Sequence, residues 1–174
     1  ETNTNLELIG EALGYATEGI TTNADTHTTT VADGATDPGR AMYIKYTGTL
    51  DSACTITIAP NTMSRVHIIE NATSGSQNII ISQGSGANVT IPNSHVKAVF
   101  LDGAGSGAAV TEAFIDLSVS GNLLIDGATP TLTIGDAGAE DTKIVFDGNA
   151  QDFYIGLDDS ADDLVFGKGS ALGT

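Results

Sequence analysis

Asn122 to Gly135, NLLIDGATPTLTIG, recurs without a gap as Lys143 to Gly156, KIVFDGNAQDFYIG, at an offset of 21 residues. Leu123, Leu124 and Ile125 become Ile144, Val145 and Phe146. Asp126-Gly127 becomes Asp147-Gly148, Leu132 becomes Phe153, and Ile134-Gly135 becomes Ile155-Gly156. Every apolar position stays apolar. A third copy opens at Asp163, reads LVFGKG, and is cut short at Thr174, so the chain is expected to be part of a longer array.

Each copy has the pattern of a short β-hairpin: an apolar run, an Asp-Gly start to a loop, then a second alternating run. β-Branched and aromatic residues favour a pleated, half-buried surface. Three consecutive apolar side chains in LLI and IVF send apolar groups to both faces of a strand, because successive side chains point to opposite sides. Both faces then need cover, and a hairpin this small cannot provide it alone. Stacked neighbours or identical chains supply that cover in repetitive proteins, so self-association is the first structural expectation.

The rest of the chain reads as two further segments. Leu6, Ile9, Leu13, Ala16 and Ile20 are spaced as an a/d seam over two heptads, with Asn5 placed to cap it and Glu7 and Glu11 near its start. Gly10, Gly14 and Gly19 weaken that helix, each by about 1 kcal/mol relative to alanine. The seam suits either a short oligomeric helix or one packed on its own β-domain, and in both cases an attachment element over residues 1–24. Residues 25–115 read strand after strand, at Thr28–Val31, Ala41–Tyr46, Cys54–Ala59, Arg65–Glu70, Asn78–Ser82, Val89–Ile91, Val96–Leu101 and Val110–Phe114. Glycine, serine, asparagine and aspartate between short runs predict a β-sandwich or small barrel, with Val66–Asn71 and Asn78–Ser82 as a hairpin through ATSGSQ. An extended connector, IDLSVSG, leads into the repetitive segment 116–174. The expected fold class is all-β: a short N-terminal helix, a sandwich or small barrel, and a repetitive β-hairpin extension intertwined in an oligomer.

Charge narrows the function. A formal net charge of −16 opposes nucleic acid and anionic membrane surfaces, which need a basic face. Residues 116–174 hold eleven acids and two bases, and this acidity favours solubility. No apolar run approaches the roughly 20 residues of a membrane span, and membrane insertion is not expected. Cys54 is the single cysteine and reads as a small buried thiol.

Candidate chemistry is sparse. His27, His67 and His95 stand far apart, none beside a carboxylate or cysteine at ligand spacing. His67, between Val66 and Ile68, is expected on the opposite face from them, at a surface or interface. No nucleophile elbow, catalytic triad, phosphate-binding loop or cofactor motif is present, so no catalytic residue, cofactor or metal ligand is nominated and the chain is read as a non-enzyme. Asp158, Asp159, Asp162 and Asp163, with Asp136, Glu140 and Asp141 in the preceding loop, could coordinate calcium, but their spacing matches neither the EF-hand nor the β-roll loop. Asn71-Ala-Thr73 and Asn88-Val-Thr90 fit the glycosylation pattern. Tyr43 with Tyr46, and Phe153 with Tyr154, are the close aromatic pairs a sugar platform would use.

With the repeats in view, SVSGNLLIDGATPTLTIGDAGAEDTKIVFDGNAQDFYIGLDDSADDLVFGKGSALGT resembles the repetitive segments of tail-fibre and related virion proteins of tailed phages, marine ones in particular. The stretch from Thr55 to Asp102, including APNTMSRVHIIENATSGSQNIIISQGSGANVT, resembles a β-domain that recurs in such fibres. The two cover about two thirds of the chain; the first 54 residues carry no comparable signature. The resemblance implies an elongated homotrimer without cofactor or catalysis, extracellular and part of the virion tail. It also implies that other tail proteins hold the N-terminal end and that a distal tip meets a host surface glycan or protein. A capsid decoration or head-fibre protein, a carbohydrate-binding adhesin and a glycan depolymerase are the competing readings. Residues expected between copies are Leu6, Ile9, Leu13 and Ile20 in the heptad seam and Leu117 and Val119 in the connector. In the repeats they are Leu123, Ile125, Ile144, Phe146, Phe153, Ile155, Leu164 and Phe166.

Overall fold

The computed structural model describes residues 2–115, 118–135 and 137–169. The chain divides into two compact units, Glu1–Ser118 and Val119–Thr174. It is mostly β, with three sheets and one short helix at the N-terminal end.

In the first unit, helix α1 (Thr2–Ala12) is followed by strands β1 (Tyr15–Gly19), β2 (Thr26–Thr30), β3 (Tyr43–Thr47), β4 (Cys54–Ala59), β5 (Arg65–Asn71), β6 (Ile79–Ser82), β7 (Val89–Ile91), β8 (Val96–Leu101) and β9 (Val110–Glu112). The helix ends earlier than the heptad spacing predicts. The Gly14 amide closes the last turn on the Glu11 carbonyl, and Tyr15 onward is extended. Glycine removes the helical preference there, and the strand offers Tyr15 and Thr17 a β-neighbour. Residues 1–24 are therefore not one helical segment: the strand half of them is built into the sheet.

The six strands β1 to β6 alternate between two sheets, ordered β1-β3-β5-β8-β9 and β2-β4-β6-β7. β1, β3 and β5 run parallel, as do β2, β4 and β6. Tyr15 pairs with Tyr43 and Tyr43 with Ile68, so the chain winds in coils of 28 and then 25 residues. The two sheets enclose one core, and the winding is that of a flattened β-solenoid closed by the antiparallel strands β7, β8 and β9. This corrects the predicted hairpin between Val66–Asn71 and Asn78–Ser82, since β5 and β6 lie in different sheets.

The corner between them explains why. Ala72 N–H donates to Tyr46 O, Ser74 N–H to Gly48 O, and Leu50 N–H to Ser74 O, so this turn stacks on the turn one coil earlier and does not fold β6 back onto β5. Buried Asn71 locks the corner: its Nδ2 donates to Gln77 O and Ile91 O at 3.0 Å, and its Oδ1 accepts from Thr73 N and Oγ1. Burial also removes Asn71 as a glycosylation acceptor in the folded chain. Gly75 adopts φ +97°, and a Cβ there would meet the Leu50 carbonyl oxygen at 1.9 Å.

Inward side chains stack coil on coil. Register places Ala16 beside Ile44 and Ile44 beside Ile69, and His27 beside Ile56 and Ile56 beside Ile81. His67 also faces inward and is fully buried, against the expectation of a surface position. Alternation put it opposite Val66 and Ile68 correctly, but those two face out. Its Nδ1 lies 2.9 Å from Ala41 O, while Nε2 has no partner. Desolvation, with the nearby Arg65 charge, pulls its pKa down to about 4.

In the second unit, β10 (Thr142–Phe146), β11 (Phe153–Asp158) and β12 (Asp163–Lys168) form an antiparallel three-stranded sheet. The second repeat copy thus makes a hairpin and the third copy adds a strand. The first copy, 122–135, makes none. The two copies also differ in side chains. Tyr154 covers one face of the sheet by lying on Gly167, where a Cβ would meet its ring at 2.3 Å, and Lys143 Nζ sits 5.8 Å from the ring centroid. The first copy carries Thr133 and Asn122 at those positions and so has no aromatic ring there.

Two tests follow from this packing. Gly75→Ala forces both the strained φ and the clash, and urea titration is expected to show a loss of about 2–4 kcal/mol. His67 gains a proton more readily unfolded than folded, so its contribution is complete above the ordinary value of 6.5 and is lost as pH falls toward 4. Between about pH 7 and pH 5 the native chain is expected to lose about 2 kcal/mol more than His67→Gln.

Candidate self-association surfaces

Strand alternation fixes the faces of the second-unit sheet. Ile144 pairs with Ile155 and Phe146 with Phe153; Ile155 pairs with Phe166 and Leu157 with Leu164. These seven side chains therefore share one face, with Thr142 and Lys168 at its edges, and they remain open: Leu164 is 68% exposed and Phe166 71%. Acidic residues Asp158 and Asp163 lie on the other face, where Tyr154 is buried. The segregation leaves an apolar surface without acidic groups on a chain of net charge −16. Soluble monomers rarely expose a contiguous apolar surface of this kind.

The six expected interface residues Ile144, Phe146, Phe153, Ile155, Leu164 and Phe166 are brought together on that face. Leu157 belongs with them and was missed, although it continues the alternation of Phe153 and Ile155. Leu123, Ile125 and Val119 are exposed outside any strand, and Leu117 lies outside the described residues. Leu6 and Ile9 are exposed on α1, and Leu13 is exposed one residue beyond its end. Ile20 does not join them. It is buried in the first unit's core, its amide bonded to Thr47 O, because the chain has already left the helix.

Sequence reading missed a further surface on the first sheet. Its outer face carries Tyr15, Tyr43, Ile68 and Ala98 in one cross-strand row, with Val66 and Phe100 in another. The rings of Tyr15 and Tyr43 are 5.6 Å apart and tilted by 37°. Tyr43 donates to Glu70 Oε2 at 2.8 Å, and Lys45 Nζ sits 3.0 Å from Glu70 Oε1. Those partners, Lys45 first, lower the Glu70 pKa, and Glu70 raises that of Lys45. Val96, Ala98 and Phe100 do share a face as alternation implies, but it is the outer one. The aromatic pairs expected from sequence separate, because Tyr46 and Tyr154 are buried.

Polar side chains finish the open end of the solenoid core. Glu18 and Thr29, which stack on Tyr46 and Ile58, are joined by a 2.9 Å bond from Thr29 Oγ1 to Glu18 Oε2. His27 Nε2 lies 2.7 Å from Glu18 Oε1, and the buried Tyr46 hydroxyl meets Thr29 Oγ1 at 2.7 Å. Desolvation raises the Tyr46 pKa well above the usual phenol. Each of these groups is satisfied by another, which lets a polar layer lie on an isoleucine-rich core.

The acidic loops act as turn caps. Asp158 Oδ1 accepts from Ser160 Oγ and Ala161 N, and Asp141 Oδ1 from Asp159 N; Asp136 lies outside the described residues. Among the described residues, no three histidine, cysteine or acidic side chains are gathered as metal ligands, and no helix is long and apolar enough to cross a membrane. Buried Cys54 has its thiol pKa pushed up by desolvation.

No family model, curated protein or solved structure matches the chain.

Thr29→Val tests the polar layer. It strands the buried Tyr46 hydroxyl and is expected to cost about 1–3 kcal/mol in chemical denaturation, whereas Thr28→Val, on the exposed face of the same strand, is expected to stay within about 0.5 kcal/mol of the native chain.

Proposed function

We propose that the chain is a structural subunit of a phage tail fibre, self-associating as a homotrimer and linking the virion to a distal element that meets the host. The observation that carries the assembly part is the uncovered face of Ile144, Phe146, Phe153, Ile155, Leu157, Leu164 and Phe166. The assignment to a tail, and the number three, rest on the resemblance of the repeats to phage fibre segments. The role is non-catalytic and extracellular, with other tail proteins at the N-terminal end.

Magnitudes say how the assembly has to work. Removing the exposed half of one such side chain from water gives on the order of 1 kcal/mol, so seven give several. Association of free chains costs about 4–15 kcal/mol. One sheet per chain is therefore marginal, and the exposed apolar residues at α1 and the uncovered first repeat must contribute. Copies arranged around a common axis would bury apolar surfaces of this kind and leave the acids outside.

A carbohydrate-binding reading keeps one support, the pair of exposed Tyr15 and half-buried Tyr43. It requires no assembly and is separated from the fibre reading by mass.

Light scattering across a dilution series is expected to give three times the chain mass. Phe146→Asp with Phe166→Asp places two charges on the apolar face and is expected to return the chain to monomer, with the first unit still folded by circular dichroism. A folded monomer of the native chain at every concentration overturns the assembly, and detection of the chain in isolated capsids but not in tails overturns the tail assignment.

A further inference from the structure

The first sheet buries one face in the core and leaves the other open. On that outer face the row Tyr15, Tyr43, Ile68 and Ala98 runs across four strands, with Val66 and Phe100 paired beside it. Tyr15 is 61% exposed, Val66 48% and Phe100 39%. Soluble monomers rarely leave a contiguous apolar surface of this kind uncovered.

Charge narrows what fits there. Among the described residues, Lys45 and Glu70 are the only charged side chains that the strands of this sheet turn outward, and they lie 3.0 Å apart. A chain of net charge −16 therefore presents a face with no net charge. A basic partner is drawn to the acids, which lie elsewhere. An equally neutral apolar surface meets this one without repulsion, and the same face of another copy is such a surface.

The polar tips on the face point the same way. The Tyr15 hydroxyl lies 2.8 Å from Thr17 Oγ1, Tyr43 donates to Glu70 Oε2 at 2.8 Å, and Lys45 closes on Glu70 Oε1. Recognition of a sugar needs free donors and acceptors converging on its hydroxyls. Here these groups are turned on one another, so a dry protein surface can cover them without orphaning them.

We propose that this face packs against the first unit of another copy of the chain. The inference rests on the self-association reading and deepens it, because it gives the first unit an interface of its own. With strands about 4.8 Å apart and a rise of about 3.3 Å per residue, four strands of five residues offer roughly 300 Å². A stable interface takes about 800 Å² from each partner. The face is therefore too small to hold copies together alone and acts as one contributor among several.

The chain has four tyrosines, two on this face and two, Tyr46 and Tyr154, buried. Fluorine NMR of the full chain made with 3-fluorotyrosine reads the face against Tyr46 as reference, with light scattering giving the mass of the same samples. Signals of Tyr15 and Tyr43, assigned with Tyr15→Phe and Tyr43→Phe, are expected to respond little to exchange of light for heavy water in concentrated samples. On dilution the response is expected to rise while that of Tyr46 stays constant. Val66→Asp with Phe100→Asp is expected to weaken association at least tenfold, with the circular dichroism unchanged. A multi-copy mass with Tyr15 fully solvated at every concentration overturns this inference and leaves the second-unit interface standing. A single-copy mass at every concentration overturns both. An oligosaccharide that moves the Tyr15 signal of the dissociated chain gives the face to a sugar and also overturns the inference.

Discussion

No β-element in this chain can cover its own apolar surface, and the structure follows from how each is covered. In the first unit the answer is the next coil. Ile44 lies against Ala16 and Ile69, Ile56 against His27 and Ile81, and the backbone hydrogen bonds of each corner run to the corner of the preceding coil. Where no further coil follows, the cover changes character. At one end Glu18, His27, Thr29 and Tyr46 satisfy one another in a polar layer, and at the other the strands β7 to β9 turn antiparallel and close the sheets. In the second unit Tyr154 on Gly167 covers one face of the sheet. No side chain of that sheet covers the other.

That asymmetry unites the charge distribution with the proposed role. A chain of net charge −16 repels its own copies unless the touching surfaces are free of acids. Such surfaces exist: exposed Leu6 and Ile9 on α1 with Leu13 just past its end, and the face built on Phe146, Phe153 and Phe166, while Asp158 and Asp163 lie on the opposite side of that sheet. In the proposed assembly, acids elsewhere would keep the particle soluble and restrict association to the acid-free faces.

Local pattern was legible and long-range pairing was not. Strands β4, β7 and β8 begin and end where alternation and turn residues place them, because both signals are written in neighbouring residues. The shared apolar face of β10 to β12 was also readable, since a 21-residue repeat aligns the alternation of one copy with the next. The parallel winding was hidden, because β5 and β6 are separated by a turn that looks like a hairpin loop and acts as a corner only when stacked on residues one coil away. Alternation groups Val66 with Ile68 and His67 apart from them, but it cannot say which side is the core. Hydrophobicity suggested the wrong side, and buried His67 and the outward-facing Tyr15–Tyr43 row are the result. Ile20 fits a heptad by spacing, yet glycines at 14 and 19 and the β-favouring residues between them decide for a strand.

The proposed assembly requires that the face of Phe146, Phe153 and Phe166 be covered by other copies of the chain. Hydroxyl-radical footprinting with mass spectrometry reads those three rings directly, at high concentration and after dilution. Coverage predicts slow oxidation of all three in the concentrated sample, rising on dilution as copies separate, with exposed residues outside the faces unchanged. Oxidation of all three at the rate of freely exposed rings at every concentration would contradict it.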